Sequence, residues 1–365
     1  MKLHLYFARR FAYSFAMVFG IFLILFTLLD MVEQMRRFGS ATVGFPQILR
    51  LSLLNVPSGI YQILPLIVVL ATVVLYLSLA RSSELIVSRA AGRSAIHSLT
   101  SPVLVSLLIG LLSVLVFNPI VAATSSLYEQ VAASYRGEGD RVISVSREGL
   151  WLRQGSHLGQ VVIRAARSNL DGTELDGVSF LGFGPDGQPS YRLEAQSAKL
   201  TPGAWKLSQA KQWQFEDSGN PEATAQSFEE FELSSNLTGE QIRDSFGKPG
   251  SIPIWDLPDF IEQLQDAGFS VRAYRVWFQM ELALPLVLMA MVLVGAAFTM
   301  RHTRFGRTGQ RVLMAVLIAF AFYFIRNFAR VLGESGQLPV LLAAWAPPVA
   351  AILLISGILL HLEDG

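Results

Sequence analysis

Six long apolar runs and one polar stretch divide this sequence. Each run holds close to the ~20 residues that a helix needs to cross the hydrocarbon core of a bilayer. Three runs precede and three follow a polar stretch at about residues 125–268. In chain order the runs are residues 11–29, 57–79, 99–123, 276–300, 312–332 and 338–360. The pattern predicts three membrane-spanning helices, one soluble domain and three further membrane-spanning helices.

The polar stretch has the turn signals and short apolar segments of a β domain. We predict nine strands, at residues 142–146, 149–152, 160–163, 178–183, 191–193, 198–200, 205–207, 213–215 and 226–231. Such a series is typical of a β-sandwich or barrel. A helix is predicted after it at residues 256–267, with Asp256 as N-cap and Gly268 just past its end. We expect that helix to lie along the membrane surface and to lead into the fourth span.

Composition agrees with a membrane protein and excludes several kinds of site. Only 16% of the 365 residues are charged and 52% are hydrophobic, whereas a soluble protein averages about 25% charged residues. A net charge of +1 gives no support for nucleic-acid binding, and the absence of cysteine excludes disulfides and thiolate chemistry. The sequence has no P-loop, H-E-x-x-H or G-x-S-x-G motif, and its five histidines lack metal-ligand spacing. We therefore expect no catalytic residue, metal or cofactor.

Basic residues in short loops indicate the orientation of the spans. The N-terminal tail, the loop at residues 81–93 and the loop from Arg301 to Arg311 fall on one side if every run crosses once. The positive-inside rule makes that side cytoplasmic. The β domain is then outside, which in a bacterium is the periplasm. Arg36, Arg37 and Arg50, in the predicted first outer loop, depart from the rule.

A polar segment, RSSELIVSRAAGRSAIH at residues 81–97, lies between the second and third apolar runs. Glu84, Leu85, Val87 and Ser88 fall at helical spacings, and Gly92 can end such a helix in a left-handed conformation. One hypothesis is that a soluble motor moves the membrane protein by this segment. The alternative is a charged loop whose arginines only set the topology.

Charged residues also lie at the outer ends of the first and fifth runs. Glu33 precedes Arg37 by four residues, which predicts a helical ion pair. Interfacial anchoring explains any one of these residues. Several cations facing the outer leaflet together favour a receptor for a phosphorylated lipid head group. The predicted head-group residues are Arg36, Arg37, Glu33, Asp30, Arg326 and Arg330.

Three segments resemble the lipopolysaccharide export permease family of the LptF/LptG type. They are SSELIVSRAAG at 82–92, DMVEQMRRFG at 30–39 and IPIWDLPDFIEQLQDAGF at 252–269. The closing HLEDG is similar to the ending of alphaproteobacterial members. The resemblance covers the whole chain and implies six transmembrane helices in a 3+3 arrangement with a periplasmic β-jellyroll between helices 3 and 4. The implied domains are helices 1–3 at residues 1–124, the jellyroll at 125–255, and an interfacial helix with helices 4–6 at 256–365.

The resemblance also implies the function and the partners. The chain would be a permease subunit of an ABC transporter in the bacterial inner membrane. It would extract lipopolysaccharide from the outer leaflet and pass it to a periplasmic bridge. The implied partners are an LptF-like second permease subunit, an LptB-like ATPase dimer and the jellyroll proteins LptC and LptA, with no nucleic acid.

Individual residues receive roles from the same resemblance. Residues 82–92 would form the coupling helix, in which Glu84 docks into the ATPase. Arg36 and Arg37 match basic positions that contact phosphorylated sugars, and Asp30 stands where some members have a basic residue. The implied ATPase-coupling residues are Ser83, Glu84, Leu85, Arg89 and Gly92.

Two other classes of function fit parts of the sequence. A membrane sensor or scaffold would use the periplasmic β domain to bind a ligand. Such a protein normally carries a cytoplasmic output domain, and here the predicted cytoplasmic parts are loops and short tails. An intramembrane enzyme would use Glu281 or Asp30, but the sequence places no second carboxylate or histidine beside either residue within a span.

Overall fold

The structure is a computed structural model of the 365-residue chain. It describes residues 2–38, 44–82, 84, 95–136, 143–146, 149–156, 159–169, 172–184, 188–215, 221–235, 237–238, 242, 248–266, 268–300 and 308–364. The chain forms two compact units. The helical unit comprises Met1–Val131, Pro253–Trp255 and Arg272–Gly365, and the β unit comprises Ala132–Ile252 and Asp256–Val271.

The described residues contain nine α-helices. They are α1 Lys2–Phe38, α2 Phe45–Arg81, α3 Ala95–Leu112, α4 Asn118–Arg136, α5 Leu257–Asp266, α6 Arg272–Leu282, α7 Leu284–Thr299, α8 Thr308–Glu334 and α9 Val340–Asp364. A π-helical turn, Ser113–Phe117, joins α3 to α4. Five helical segments of the described chain are long and apolar enough to cross a membrane, namely Leu3–Phe38, Phe45–Arg81, Ser98–Tyr135, Gly309–Glu334 and Val340–His361.

The predicted fourth span is not one straight helix. Helices α6 and α7 meet at a bend of 51° and together provide a sixth candidate span. Pro285 lies in the first turn of α7, and its ring nitrogen cannot donate the backbone hydrogen bond that would continue α6. The single run predicted at 276–300 is therefore broken between Leu282 and Leu284.

The first two helices extend beyond their predicted apolar runs. Arg36 and Arg37 lie in the last turn of α1, and Arg50 lies in the second turn of α2. These three arginines are therefore helical, and their position on the outer side of the membrane stays a prediction. Pro46 explains the early start of α2, because a proline in the first turn has no N–H that needs a partner.

Helices α2 and α7 form the centre of the helical unit. In the most apolar 18-residue stretch of α2, 61% of the residues are buried. The corresponding share is 11% for α1 and 17% for α8. Exposed apolar side chains on the outer helices include Leu29, Phe324 and Leu353. Apolar surface of this extent must meet lipid or another protein.

The β unit contains one antiparallel sheet of seven described strands. Each strand pairs with its neighbours in sequence, in the order β1 to β7. The strands are β1 Ile143–Ser146, β2 Gly149–Ser156, β3 Gly159–Ser168, β4 Glu174–Phe183, β5 Pro189–Thr201, β6 Ala204–Gln214 and β7 Gln226–Ser234. Helix α5 belongs to this unit, and Gly268 ends it with φ +90°, as predicted.

Pairing is interrupted at the same level in five adjacent strands, from β3 to β7. The residues that share this level, which we call the bend row, are Ala166, Gly177, Gln196, Gln209 and Glu229. Gly177 and Gln209 have positive φ angles of 61° and 51°. The alternation of buried residues also changes there, since β6 buries Trp205 and Leu207 before the row and Ala210 after it. The register is the same on both sides of the row, so neighbouring strands change their buried face together and stay paired in step.

The bend row folds the sheet onto itself. Phe180 pairs with Leu193 of β5, and Trp205 pairs with Leu200 of the same strand. Those two leucines would be about 23 Å apart along a straight strand at roughly 3.3 Å per residue. The rings of Phe180 and Trp205 are nevertheless 6.3 Å apart. The two halves of the sheet therefore face each other and bury a common apolar core.

The bend row also corrects the predicted strand count. The strands predicted at 191–193 and 198–200 are both parts of β5, and those at 205–207 and 213–215 belong to β6, apart from Phe215. Nine predicted segments therefore become seven strands. A bend within a strand interrupts the alternation of apolar residues without ending the strand.

Candidate functional site: polar clusters of the helical unit

Glu84, just beyond the end of α2, is bound by two side chains of α1. We call Glu84, Arg10 and Tyr6 the Glu84 cluster. Arg10 Nη1 donates to both carboxylate oxygens, at 2.6 and 2.8 Å, and the Tyr6 hydroxyl donates to Oε2 at 2.7 Å. Arg10 also donates to the Tyr6 hydroxyl. The polar segment after α2 is thus attached to the N-terminal part of α1.

The hydrogen bonds of this cluster keep Glu84 ionised. Partial burial by itself raises the pKa of the Glu84 carboxyl. The hydrogen bonds from Tyr6 and Arg10 outweigh that cost and hold the pKa below its usual value. The group is therefore an anion near neutral pH and can accept hydrogen bonds from a cationic partner. Ser83, Leu85, Arg89 and Gly92 lie outside the described residues, so the coupling helix at 82–92 stays a prediction.

At the other end of α1, one carboxylate binds two arginines. Arg36 Nη2 lies 2.9 Å from Glu33 Oε2, and Arg37 Nε lies 2.7 Å from Glu33 Oε1. The ion pair predicted between Glu33 and Arg37 is therefore confirmed. The arginine side chains are 78% and 59% exposed. Because each guanidinium has five N–H donors, most of them are left for a ligand.

Asp30 belongs to a separate, buried polar cluster. It is 8% exposed and accepts a hydrogen bond of 2.7 Å from Asn55 of α2. Gln34 is bonded to Asp30 at 3.4 Å and to the Tyr128 hydroxyl of α4 at 3.1 Å. Asp30 thus binds α2 directly and is linked to α4 through Gln34.

The two predicted arginines of α8 have different environments. Arg330 Nε lies 3.8 Å from Glu334 Oε1. Arg326 lines a cavity of about 180 Å³ between α2, α7 and α8, together with Gln62 and mainly apolar side chains. Among the described residues, no hydrogen bond or ion pair links the Glu33, Arg36 and Arg37 group to Arg326, Arg330 or Glu334.

A second buried polar cluster lies at the bend between α6 and α7. Glu281 is 3% exposed and accepts hydrogen bonds from the Tyr61 hydroxyl and from Asn118 Nδ2, the latter at 3.2 Å. Asn118 Oδ1 accepts the backbone N–H of Ile254 at 3.0 Å. This cluster connects α2, the start of α4 after its π-helical turn, and α6.

From the sequence, Glu281 was predictable only as a charged residue within a span and a possible enzyme carboxylate, without these partners. The available signals were a glutamate inside an apolar run and an Asn-Pro pair inside another, at Asn118. Neither signal identifies a contact between residues that lie 163 positions apart. Asn118 therefore connects its own helix α4 to Glu281 of α6 and to the backbone amide of Ile254. This role could not be predicted from the sequence.

These features define a class of protein. The chain is a multi-pass membrane protein with five to six apolar helices, and an antiparallel β sheet lies between the third and fourth candidate spans in sequence. Residues 5–361 match the family "Lipopolysaccharide export system permease LptF/LptG". The chain belongs to this family.

Curated relatives agree with the family match. The chain is similar to the lipopolysaccharide export system permease protein LptG of Escherichia coli K12, at 23% identity over 340 residues, covering 92% of this chain and 91% of the relative. It is also similar to LptG of Haemophilus influenzae, at 24% identity over 348 residues, covering 92% of each chain. These matches give no support to the sensor or enzyme hypotheses.

Proposed function

We propose that this chain is the LptG-type permease subunit of an ABC transporter that exports lipopolysaccharide from the inner membrane. It takes the lipid from the outer leaflet and passes it to a periplasmic bridge toward the outer membrane. The observation that carries the proposal is the pair of clusters on α1. One continuous helix bears exposed arginines at one end and a link to the predicted motor segment at the other.

The arginine end suits a phosphorylated head group. Glu33, Arg36 and Arg37 together carry a net charge of +1, and their side chains are partly or largely exposed. Arginine binds phosphate oxygens through paired N–H donors, so an arriving phosphate can use donors that Glu33 leaves free. We assign head-group binding to Arg36 and Arg37, positioned by Glu33. Arg326 and Arg330 are proposed to contribute from α8, and buried Asp30 is assigned a positioning role.

Extraction of this lipid requires an external source of energy. Removing an acyl chain from the bilayer costs about 0.8 kcal/mol per CH₂ group, or roughly 10 kcal/mol for a chain of a dozen carbons. Several chains exceed what head-group contacts alone can offset. Because this sequence has no P-loop, we assign ATP hydrolysis to an LptB-like dimer that docks on the coupling helix at 82–92 through Glu84. The same helix would include Ser83, Leu85, Arg89 and Gly92.

The membrane spans have a 3+3 arrangement in this proposal, in which α6 and α7 together count as one span. The domains are residues 1–124, 125–255 and 256–365, and the β domain lies in the periplasm. We propose that the β domain is a jellyroll of the family's type. Its support is the pair of facing half-sheets that enclose an apolar interior, within a sheet whose described strands pair in sequence order. An exposed sheet edge can extend into the jellyrolls of LptC and LptA by strand pairing.

The exposed apolar faces of the outer helices also need a partner or lipid. An LptF-like subunit would cover part of them.

Photocrosslinking in native membranes tests the proposal. A photoreactive amino acid replaces Met35, which is 50% exposed and adjoins the arginines. We expect a lipopolysaccharide adduct that falls at least about tenfold in Arg36→Glu/Arg37→Glu, because the reversed charges repel phosphate. Arg50→Glu, at an exposed arginine of α2, is the matched control and should leave the adduct unchanged. An adduct that survives reversal of both arginines would remove the head-group assignment.

A further inference from the structure

The carboxylate of Glu84 is already occupied within this chain. Its two oxygens accept three hydrogen bonds from Arg10 and Tyr6 of α1. A carboxylate has about four lone-pair sites, so these donors use most of them. A motor that binds Glu84 through a cation must therefore share the group with α1 or displace α1 from it.

Helix α1 is suited to carry a displacement along its length. It is continuous from Lys2 to Phe38, with no proline in the sequence to interrupt it. Arg10 and Arg37 are separated by about 40 Å at 1.5 Å per residue. A helix without a break can transmit a shift near Arg10 to the Glu33, Arg36 and Arg37 group.

Helix α1 lies on the outside of the helical unit, where one face packs on α2 and the rest of its surface is exposed. Only 11% of the residues in its most apolar stretch are buried, compared with 61% for α2. Arg10 holds α1 to Glu84 through a charged contact, with 29% of its side chain exposed. This contact couples the residue that follows α2 to α1.

We infer that Arg10, assisted by Tyr6, is a positioning residue that couples Glu84 to α1, so that motor movement at Glu84 reaches the head-group arginines. The inference rests on the proposed function, since it requires a motor at Glu84 and lipid at Arg36 and Arg37. Neither Arg10 nor Tyr6 contacts the motor or the lipid in this scheme. Both act through Glu84, and their loss should uncouple two activities rather than abolish either.

The test uses the complete transporter complex, purified from native membranes through a tag on this chain and reconstituted into vesicles that contain lipopolysaccharide. Two quantities are measured, the rate of ATP hydrolysis and the amount of lipopolysaccharide extracted per ATP. In Arg10→Gln we expect normal co-purification of the ATPase and hydrolysis within about twofold of wild type. Extraction per ATP should fall about tenfold, within the roughly 5- to 150-fold range typical of coupling between two sites.

Matched variants separate coupling from folding. Arg9→Gln removes the same charge from the neighbouring, exposed arginine and should keep the wild-type ratio. Arg10→Lys should restore most of the ratio, because Arg10 uses a single nitrogen and an ammonium group can take that place. Tyr6→Phe, which removes one hydrogen bond to Glu84, should cause a smaller loss of the ratio than Arg10→Gln.

The possible outcomes are distinguishable. If Arg10→Gln extracts as much lipid per ATP as wild type, the inference is overturned while the proposed function stands. If Arg10→Gln and Glu84→Gln lose the ATPase to the same extent, Arg10 serves only docking and the inference is again overturned. If the wild-type complex shows no ATP-dependent extraction, the proposed function fails and the inference fails with it.

Discussion

Asn118 and Glu281 are hydrogen-bonded across the helical unit, with Nδ2 of the amide 3.2 Å from Oε2 of the carboxylate. The other side of the same amide accepts the N–H of Ile254, the central residue of the short Pro253–Trp255 segment that belongs to the helical unit. Both side chains are nearly inaccessible to solvent. One neutral residue thus stabilises a buried carboxylate and a buried backbone amide at the same time.

Replacing Asn118 should therefore destabilise the helical unit. Asn118→Leu keeps the approximate volume but leaves the Glu281 carboxylate short of a donor and the Ile254 N–H without its acceptor. Each unsatisfied buried group costs about 1–3 kcal/mol. We expect a clearly lower apparent unfolding temperature of the detergent-solubilised protein. Asn327→Leu, at an exposed position of α8, is the control, and equal effects of the two variants would refute the bridging role.

Trp205 should anchor the folded sheet. The side chain is fully buried, and its ring contacts Phe180 on the opposite half. Removal of a buried Trp or Phe ring costs about 3–5 kcal/mol, so Trp205→Ala should accelerate amide hydrogen exchange in β4 and β6. Trp213→Ala removes a half-buried indole that binds Glu222 and should change exchange much less. Unchanged exchange in Trp205→Ala would show that the two halves do not depend on this contact.

The bend row predicts an unusual preference at position 209. Gln209 has φ +51°, a conformation that costs a residue with a side chain about 1–2 kcal/mol and that glycine adopts freely. Gln209→Gly should therefore preserve or raise the stability of the β unit, whereas Gln209→Val should lower it. Hydrogen exchange in β6 measures both. A Val variant as stable as the Gly variant would show that this residue does not need its positive φ angle.

Helix α3 approaches the bent span closely at Gly110. A Cβ atom on this residue would lie 2.5 Å from the Cα of Pro285, a backbone atom that cannot rotate away. Gly110→Val should force α3 from α7 and lower the apparent unfolding temperature, since overpacking costs about 1–3 kcal/mol. Gly20→Val adds the same atoms where no neighbour lies within 4 Å of the new Cβ. Similar results for the two variants would contradict the close packing.

Sequence predicted the helices well and their interruption poorly. The apolar run at 57–79 falls inside α2, which continues through Pro57 and Pro65 without a break. Pro347 and Pro348 likewise lie inside α9. Pro285 has the same appearance in sequence, yet the bend occurs there. Whether a proline bends a helix depends on the packing around it, which an apolar run does not report.

Whether a polar contact could be predicted depends on how far apart its two residues lie in the sequence. The pair formed by Glu33 and Arg37 could be predicted, because residues four apart on a helix are neighbours whatever the tertiary fold. The contact between Arg10 and Glu84 joins residues 74 positions apart, so no local pattern indicates it. The bend row was partly predictable. The sequence shows that the alternation of apolar residues changes there, but the change was interpreted as the end of a strand and not as a bend within it.

The most direct test of the proposed function is lipid extraction by the complex purified through this chain from its native membrane. We expect a soluble ATPase and a second multi-pass chain to co-purify in fixed proportion. We also expect ATP, but not a non-hydrolysable analogue, to remove lipopolysaccharide from vesicles that contain this complex. Recovery of the intact chain alone, or extraction that does not depend on ATP hydrolysis, would contradict the proposed function.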